Sequence, residues 1–241
     1  MAKLVAALSL FSIAHGLNQT SEQSVPVEGG CSVLPTYHPS NRTAGPFRLR
    51  AADCDLADAS RGSCSFLRSP SSINVYTTGE PEDGGVQEIK SGEVTFVDNY
   101  GKGFYPGWIR CVDPAADAPQ GALPTFQIKV PTTIGVDPMP EEWKTIRVVN
   151  NENSARMVWG ASDDTPTLPL QMYHDYSWGN KIAGINVGAH NFTRWAVERS
   201  GHAASLPAHK EYASVRLLQK DSEVYRKDDE FTTLLRIEGT E

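Results

Sequence analysis

Apolar and polar residues along this chain alternate in short runs, and the segment from Leu17 to Gly30 offers no apolar positions at the three- and four-residue spacing of a helix face. Phe126-Gln-Ile-Lys-Val130 is the cleanest case, a period-two strand pattern that stops at Pro131. Comparable runs lie at Phe47 to Arg50, Ile73 to Tyr76, Trp108 to Cys111, Trp143 to Val149 and Ala155 to Trp159. Others follow at Leu168 to Tyr173, Ala183 to Val187, Asn191 to Val197 and Phe231 to Ile237. Val86 to Val97 reads as a hairpin turning at Ser91-Gly92, and residues 214–224 fit either a short helix or a strand. Between the runs stand Gly, Pro, Asn and Asp clusters such as Gly160-Ala-Ser-Asp-Asp-Thr-Pro166, which is turn chemistry. Leu17 to Gly30 is polar, with Pro26 and a Gly29-Gly30 pair, and reads as a flexible arm. Regularly spaced short strands with turns between them predict a mainly β protein, an antiparallel β-sandwich.

The 241 residues suffice for one large β domain or two small ones. Cys31, Cys54, Cys64 and Cys111 all precede residue 120, and Pro, Ala, Asp and Gly cluster between Asp113 and Pro124. That shift predicts a cysteine-containing, β-rich region over 17–120 and a β-sandwich over 121–241. Met1 to Gly16 carries a charged start at Lys3, an apolar run from Leu4 to Ile13 and small residues after it, the pattern of a secretory signal peptide. The run is too short to span a bilayer and has no second copy, so a secreted, extracellular protein without stable membrane insertion is expected. An even cysteine count in such a chain predicts two disulfides with three possible pairings. Cys54 with Cys64, across a short polar loop, and Cys31 with Cys111 is the favoured arrangement. The sequons at Asn18, Asn41 and Asn191 predict glycosylation on the same route.

A formal net charge of −7 with scattered basic residues argues against nucleic acid as a partner. No H-E-x-x-H, G-x-S-x-G or phosphate-cradling glycine loop is present, and Asp163-Asp164 reads as a solvated turn, so no catalytic residue is expected. Tyr105-Pro-Gly-Trp108 reads as a turn with its aromatics packed inward. Signal cleavage after Gly16 leaves Leu17 first, whereas cleavage after Ala14 leaves His15. A mature His15 could chelate copper through its amine and ring, as in lytic polysaccharide monooxygenases, with a second ligand from His38, His174, His190, His202 or His209. None of these stands in a pattern typical of that chemistry, so the expectation is no metal and no cofactor.

Gly188 to Trp195, G-A-H-N-F-T-R-W, concentrates the candidate chemistry. His190, Asn191 and Arg194 supply directional donors and acceptors beside the flat faces of Phe192 and Trp195. A sugar, with an apolar face and a rim of hydroxyls, suits such a set.

The stretch V-G-A-H-N-F-T-R-W-A resembles the G-V-H-N-Y-x-R-W-C motif of the fungal fruit-body lectins, a family with an actinoporin-like β-sandwich. His209-Lys-Glu-Tyr-Ala-Ser-Val-Arg216 is similar to that family's N-Q-E-Y-Y-G-x-V-R, and Tyr225 lies near a family tyrosine. Glu230-Phe231 to Glu238-Gly239 resembles the family's closing strand and turn. Val197 stands where the family carries an acid. The resemblance implies noncatalytic binding of Gal/GalNAc-type and GlcNAc-type glycans at two sites, Asn191 in the first and Arg216 with Tyr225 in the second. Glycans or glycoproteins are the expected partners, and no feature fixes an oligomeric state. A secreted effector or toxin acting on a host surface is the competing expectation, because actinoporins share the sandwich.

Overall fold

The structure is a computed structural model that describes residues 22–52, 73–76, 87–88, 91–97, 104–134, 136–151, 154–160, 166–199, 212–218 and 230–240. The chain opens with β1 (Glu22–Pro26) and a 3-10 turn at Gly30–Val33. Then come β2 (Thr43–Phe47), β3 (Leu49–Ala52), β4 (Ile73–Tyr76), β5 (Gln87–Glu88), β6 (Gly92–Val97), β7 (Phe104–Pro106) and β8 (Ile109–Val112). The next group is β9 (Thr125–Pro131), β10 (Thr133–Ile134), β11 (Glu141–Asn151), β12 (Ser154–Trp159), β13 (Thr167–Pro169) and β14 (Gln171–Ser177). The chain closes with β15 (Asn180–Lys181), β16 (Asn186–Gly188), β17 (Arg194–Arg199), β18 (Tyr212–Leu217) and β19 (Glu230–Ile237).

The fold is mainly β and antiparallel. Apart from the short β5–β10 pair, the strands belong to one continuous sheet that branches and curls. Branching arises where a long strand changes neighbours along one edge. β11 pairs with β9 through Glu141–Thr145 and with β13 through Arg147–Val149, so β9 and β13 diverge at Ile146. β6 bonds both β12 and β18, which themselves pair further along. Inside the curl, Phe126, Ile128 and Val130 of β9 meet Trp159, Trp195, Ile146 and Val148, all buried. Burying each such large apolar side chain contributes roughly 1.5–3 kcal/mol.

Several expectations change once the pairing is seen. Residues 22–26 are not a loose arm but a strand, paired along its length with β14 from Glu22↔Ser177 to Pro26↔Tyr173. Gly92 does not turn a hairpin: β5 pairs with β10, while β6 pairs with β4, β12 and β18. Its lack of a side chain serves packing instead, because a Cβ there would lie 2.8 Å from the Trp159 indole. Of residues 214–224 the structure describes those up to Leu218, and they continue strand β18.

Cys31 and Cys111 are disulfide-bonded with Cα atoms 5.6 Å apart, tying the 3-10 turn to β8. Asp113 reinforces this tie, accepting from Cys31 N–H at 2.8 Å and from the Tyr37 hydroxyl at 2.9 Å. Cys54, Cys64, the signal segment, His15 and Asn18 lie outside the described residues. Strands from both sides of residues 113–124 bond directly, as in β1–β14, β3–β19, β6–β12 and β8–β9. The composition shift therefore marks where the cysteines end, and the sheet runs across it.

Candidate functional site

β16 and β17 run end to end along the same strand. Val187 pairs with Leu235, and Arg194 pairs with Leu234, the neighbouring residue of β19. Gly188 to Thr193 must therefore leave the strand and return within one step of the ladder. At the tip, Ala189 and Phe192 exchange both backbone hydrogen bonds at 3.0 Å, with His190 and Asn191 at φ 54° and 66°. Two central residues at positive φ make a type I′ turn, in which Asn is among the favoured residues. The expected strand thus begins at Arg194 rather than Asn191. Gly188 is required at the base, since a Cβ there would overlap the Phe192 carbonyl oxygen. The buried Trp195 closes the neck by donating its indole N–H to Val187 O at 2.9 Å.

The returning loop is fastened to β14. The Tyr173 hydroxyl accepts the Asn191 N–H at 3.0 Å and donates to Gln171 Oε1 at 2.7 Å. Burial holds the Tyr173 hydroxyl above the usual tyrosine range, Asp175 adds to the rise, and the Asn191 N–H opposes it. Further along β14, the buried Asp175 carboxylate accepts from Thr193 Oγ1 and Ser24 Oγ, each at 2.6 Å, and from Asn186 Nδ2 at 2.7 Å. Arg194 grips Glu22 with Nε at 3.1 Å and Nη2 at 2.5 Å. The N-terminal strand, the loop and β14 are thereby locked together, and only His190 and Asn191 at the tip are exposed.

A residue that sequence reasoning passed over is Trp178. β14 and β15 join through a two-residue turn, Trp178-Gly179, between the paired Ser177 and Asn180. Trp178 has φ 51° and is 79% exposed. Left-handed backbone in a bulky residue costs on the order of 1–2 kcal/mol, and an unburied indole forgoes roughly 1.5–3 kcal/mol more. The cue in the sequence was Ser177-Trp-Gly-Asn180 after an alternating strand, where a turn slot holds an aromatic. Glu22 pairs with Ser177, so β1 begins beside this turn, and the Glu22–Arg194 ion pair ties that start to the residue that follows the 188–193 loop. The 188–193 loop leaves from the other end of β14, where Gln171 pairs with Gly188, and comes back over the strand, with Asn191 N–H on Tyr173 and Thr193 on Asp175.

The remaining expected residues fall elsewhere. Arg216 is buried in β18 and holds the buried Glu230 with Nε at 2.7 Å and a second, very close contact from Nη2. Its guanidinium is thus engaged by Glu230 inside the sheet. Tyr225 lies outside the described residues. Asn41 is exposed, and its Oδ1 accepts from Thr43 N–H and Oγ1 at 3.3 and 2.8 Å. Asn191 is exposed as well, while its sequon partner Thr193 is buried on Asp175. Among the described residues no three of His, Cys, Asp and Glu come together as a metal site.

Compared with protein-family models and with curated proteins, the chain matches none.

Proposed function

We propose that this protein is a secreted, noncatalytic glycan-binding protein whose principal sugar contact is Trp178, with the Asn191 tip as a second contact. The observation that carries the reading is the indole held 79% exposed on a two-residue turn. An indole face stacks on the apolar face of a pyranose, and the Glu22–Arg194 pair at the start of β1 offers oriented partners for hydroxyls. On the loop that precedes Arg194, Asn191 presents both an amide donor and an acceptor from a turn anchored by Tyr173 and Asp175. Such anchoring lowers the ordering cost of binding. The resemblance of residues 188–197 to the fruit-body lectins supports Gal/GalNAc- or GlcNAc-type sugars as first candidates.

The test is a glycan array followed by titration of the best ligand with wild type, Trp178→Ala and Asn191→Ala. Trp178→Ala should weaken binding by about tenfold or more, the factor that corresponds to 1.4 kcal/mol. Asn191→Ala should weaken one class of glycan and spare the other. No glycan binding by the wild type, or unchanged affinity in both folded variants, overturns the reading.

A further inference from the structure

We infer that the outward face of β8, β9 and β11 is a second binding site, for an acidic polysaccharide bearing carboxylate or sulfate groups. It lies on a different part of the sheet from Trp178 and Asn191 and uses none of their residues. Because Phe126, Ile128 and Val130 of β9 are buried, the alternation turns Thr125, Gln127 and Lys129 outward. The buried Ile109 and Cys111 likewise put Arg110 outward, and the buried Ile146 and Val148 put Thr145 and Arg147 outward.

Register assembles these side chains into rows. Lys129 pairs with Trp143, and its N–H bonds Trp108 O, so an indole, an ammonium and an indole lie side by side across the strands. In the next row Gln127 pairs with both Arg110 and Thr145. Each tryptophan carries an arginine. The Arg48 guanidinium stands 4.3 Å from the Trp108 ring centre, and that of Arg110 stands 4.5 Å from Trp143. Gln127 Oε1 fixes Arg110 at 2.8 Å. Stacking on the Trp143 indole, with its Nε held by Gln127, leaves the Nη edge of Arg110 in the ring plane to meet an oxyanion, and partial desolvation strengthens that contact. Burial lowers the Arg110 pKa, in keeping with a partly desolvated cation.

Beyond the second row, β9 and β13 diverge at Ile146 and open a groove of about 320 Å³. Thr125, Thr145, Thr167 and Arg147 supply its polar lining, with Leu123 and Pro169 as apolar walls. Hydroxyls beside apolar surface suit sugar rings, and the row of stacked cations leading to the groove suits acids repeated along a chain. Two indoles separated by two strand spacings, about 10 Å, are too far apart to serve a single small anion. Charge points the same way. The chain's formal net charge is −7, yet on this face Arg48, Arg110, Lys129 and Arg147 stand with one carboxylate, Glu141, which is paired with Lys129.

Titration of the full chain with polygalacturonate, heparin and neutral dextran tests the site, with salt varied. Polygalacturonate or heparin should bind, more weakly as salt rises, and dextran should not. A preference for the first assigns carboxylate recognition, and a preference for the second assigns sulfate. The variant Arg48→Gln/Arg110→Gln should bind about tenfold or more weakly, while Trp178→Ala should bind as wild type. Lys129→Gln, which leaves both stacks in place, provides a second readout should the double variant fold poorly. Binding to neither polymer, equal binding to dextran or to a polynucleotide, or unchanged affinity in the folded double variant and in Lys129→Gln, overturns the inference.

Discussion

Replacing Arg216 by methionine separates a structural role from a ligand-binding one. Glu230 has a side chain with 0% relative exposure, and Arg216 meets both of its carboxylate oxygens. Taking away the guanidinium strands the buried carboxylate at the start of β19. Breaking a buried pair from one side costs about 3–5 kcal/mol, because the remaining charge has lost its compensation. That is a large part of the roughly 5–15 kcal/mol by which domains are stable. Urea unfolding at fixed pH, followed by tryptophan fluorescence, should show Arg216→Met far less stable than wild type. The double variant Arg216→Met/Glu230→Leu should recover most of the loss, since two apolar residues of similar size replace both charges. Strong nonadditivity is the expected signature of two residues in direct contact. A loss below about 1 kcal/mol for Arg216→Met, or no recovery in the double variant, would refute the buried-pair argument and keep Arg216 among the candidate sugar contacts.

Other consequences follow from the loop and its anchor. Gly188→Ala should destabilise by roughly 1–3 kcal/mol, because the new methyl meets the Phe192 carbonyl and the turn must shift; an unchanged urea midpoint would contradict the looped-out geometry. Tyr173 should make the protein sensitive to alkali. Its folded pKa is raised above the ordinary tyrosine value of about 10, so its contribution is complete below that value and declines as pH rises through the folded pKa. Tyr173→Phe should remove this component of the alkaline stability loss while costing about 1 kcal/mol at neutral pH, measured as urea midpoints across the range.

How far the sequence reveals the fold depends on where each strand finds its partner. β9 was legible because its alternation and terminal proline are local, and its burial follows that alternation. β1 was not. Four of its five side chains are exposed, so no apolar rhythm marks it. What makes it a strand is pairing to β14 and the contacts of Ser24 and Glu22 with residues 151 and 172 positions away. The hairpin expected at Ser91-Gly92 failed for the same reason: both flanking segments find distant partners, and the glycine answers to Trp159. His190-Asn191 was legible as a polar feature but not as a turn, because its identity as one depends on β19 holding the segments before and after it. Arg216 shows what residue types alone leave out. A resemblance in sequence carries residue types over, but it does not say that Glu230 will meet the guanidinium.

The same contacts decide which polar groups remain to act on a ligand. Asp175, Thr193 and Arg216 satisfy one another or their neighbours inside the sheet, and water replaced by such partners leaves little to offer a sugar. The Glu22–Arg194 pair is intermediate: it holds β1 in place, yet Glu22 remains half exposed beside the Trp178 turn. His190, Asn191 and Trp178 are different, since each sits on a turn whose positive φ angles direct it away from the sheet. The networks beneath them explain why those turns can be firm without using the exposed side chains. Tyr173 and Asp175 hold the backbone and the threonine of one loop, and the β14–β15 ladder holds the other. Buried polar groups fix the 188–193 loop and a backbone ladder fixes the Trp178-Gly179 turn, which leaves an amide and an aromatic at the tips, the arrangement on which the proposed glycan binding rests.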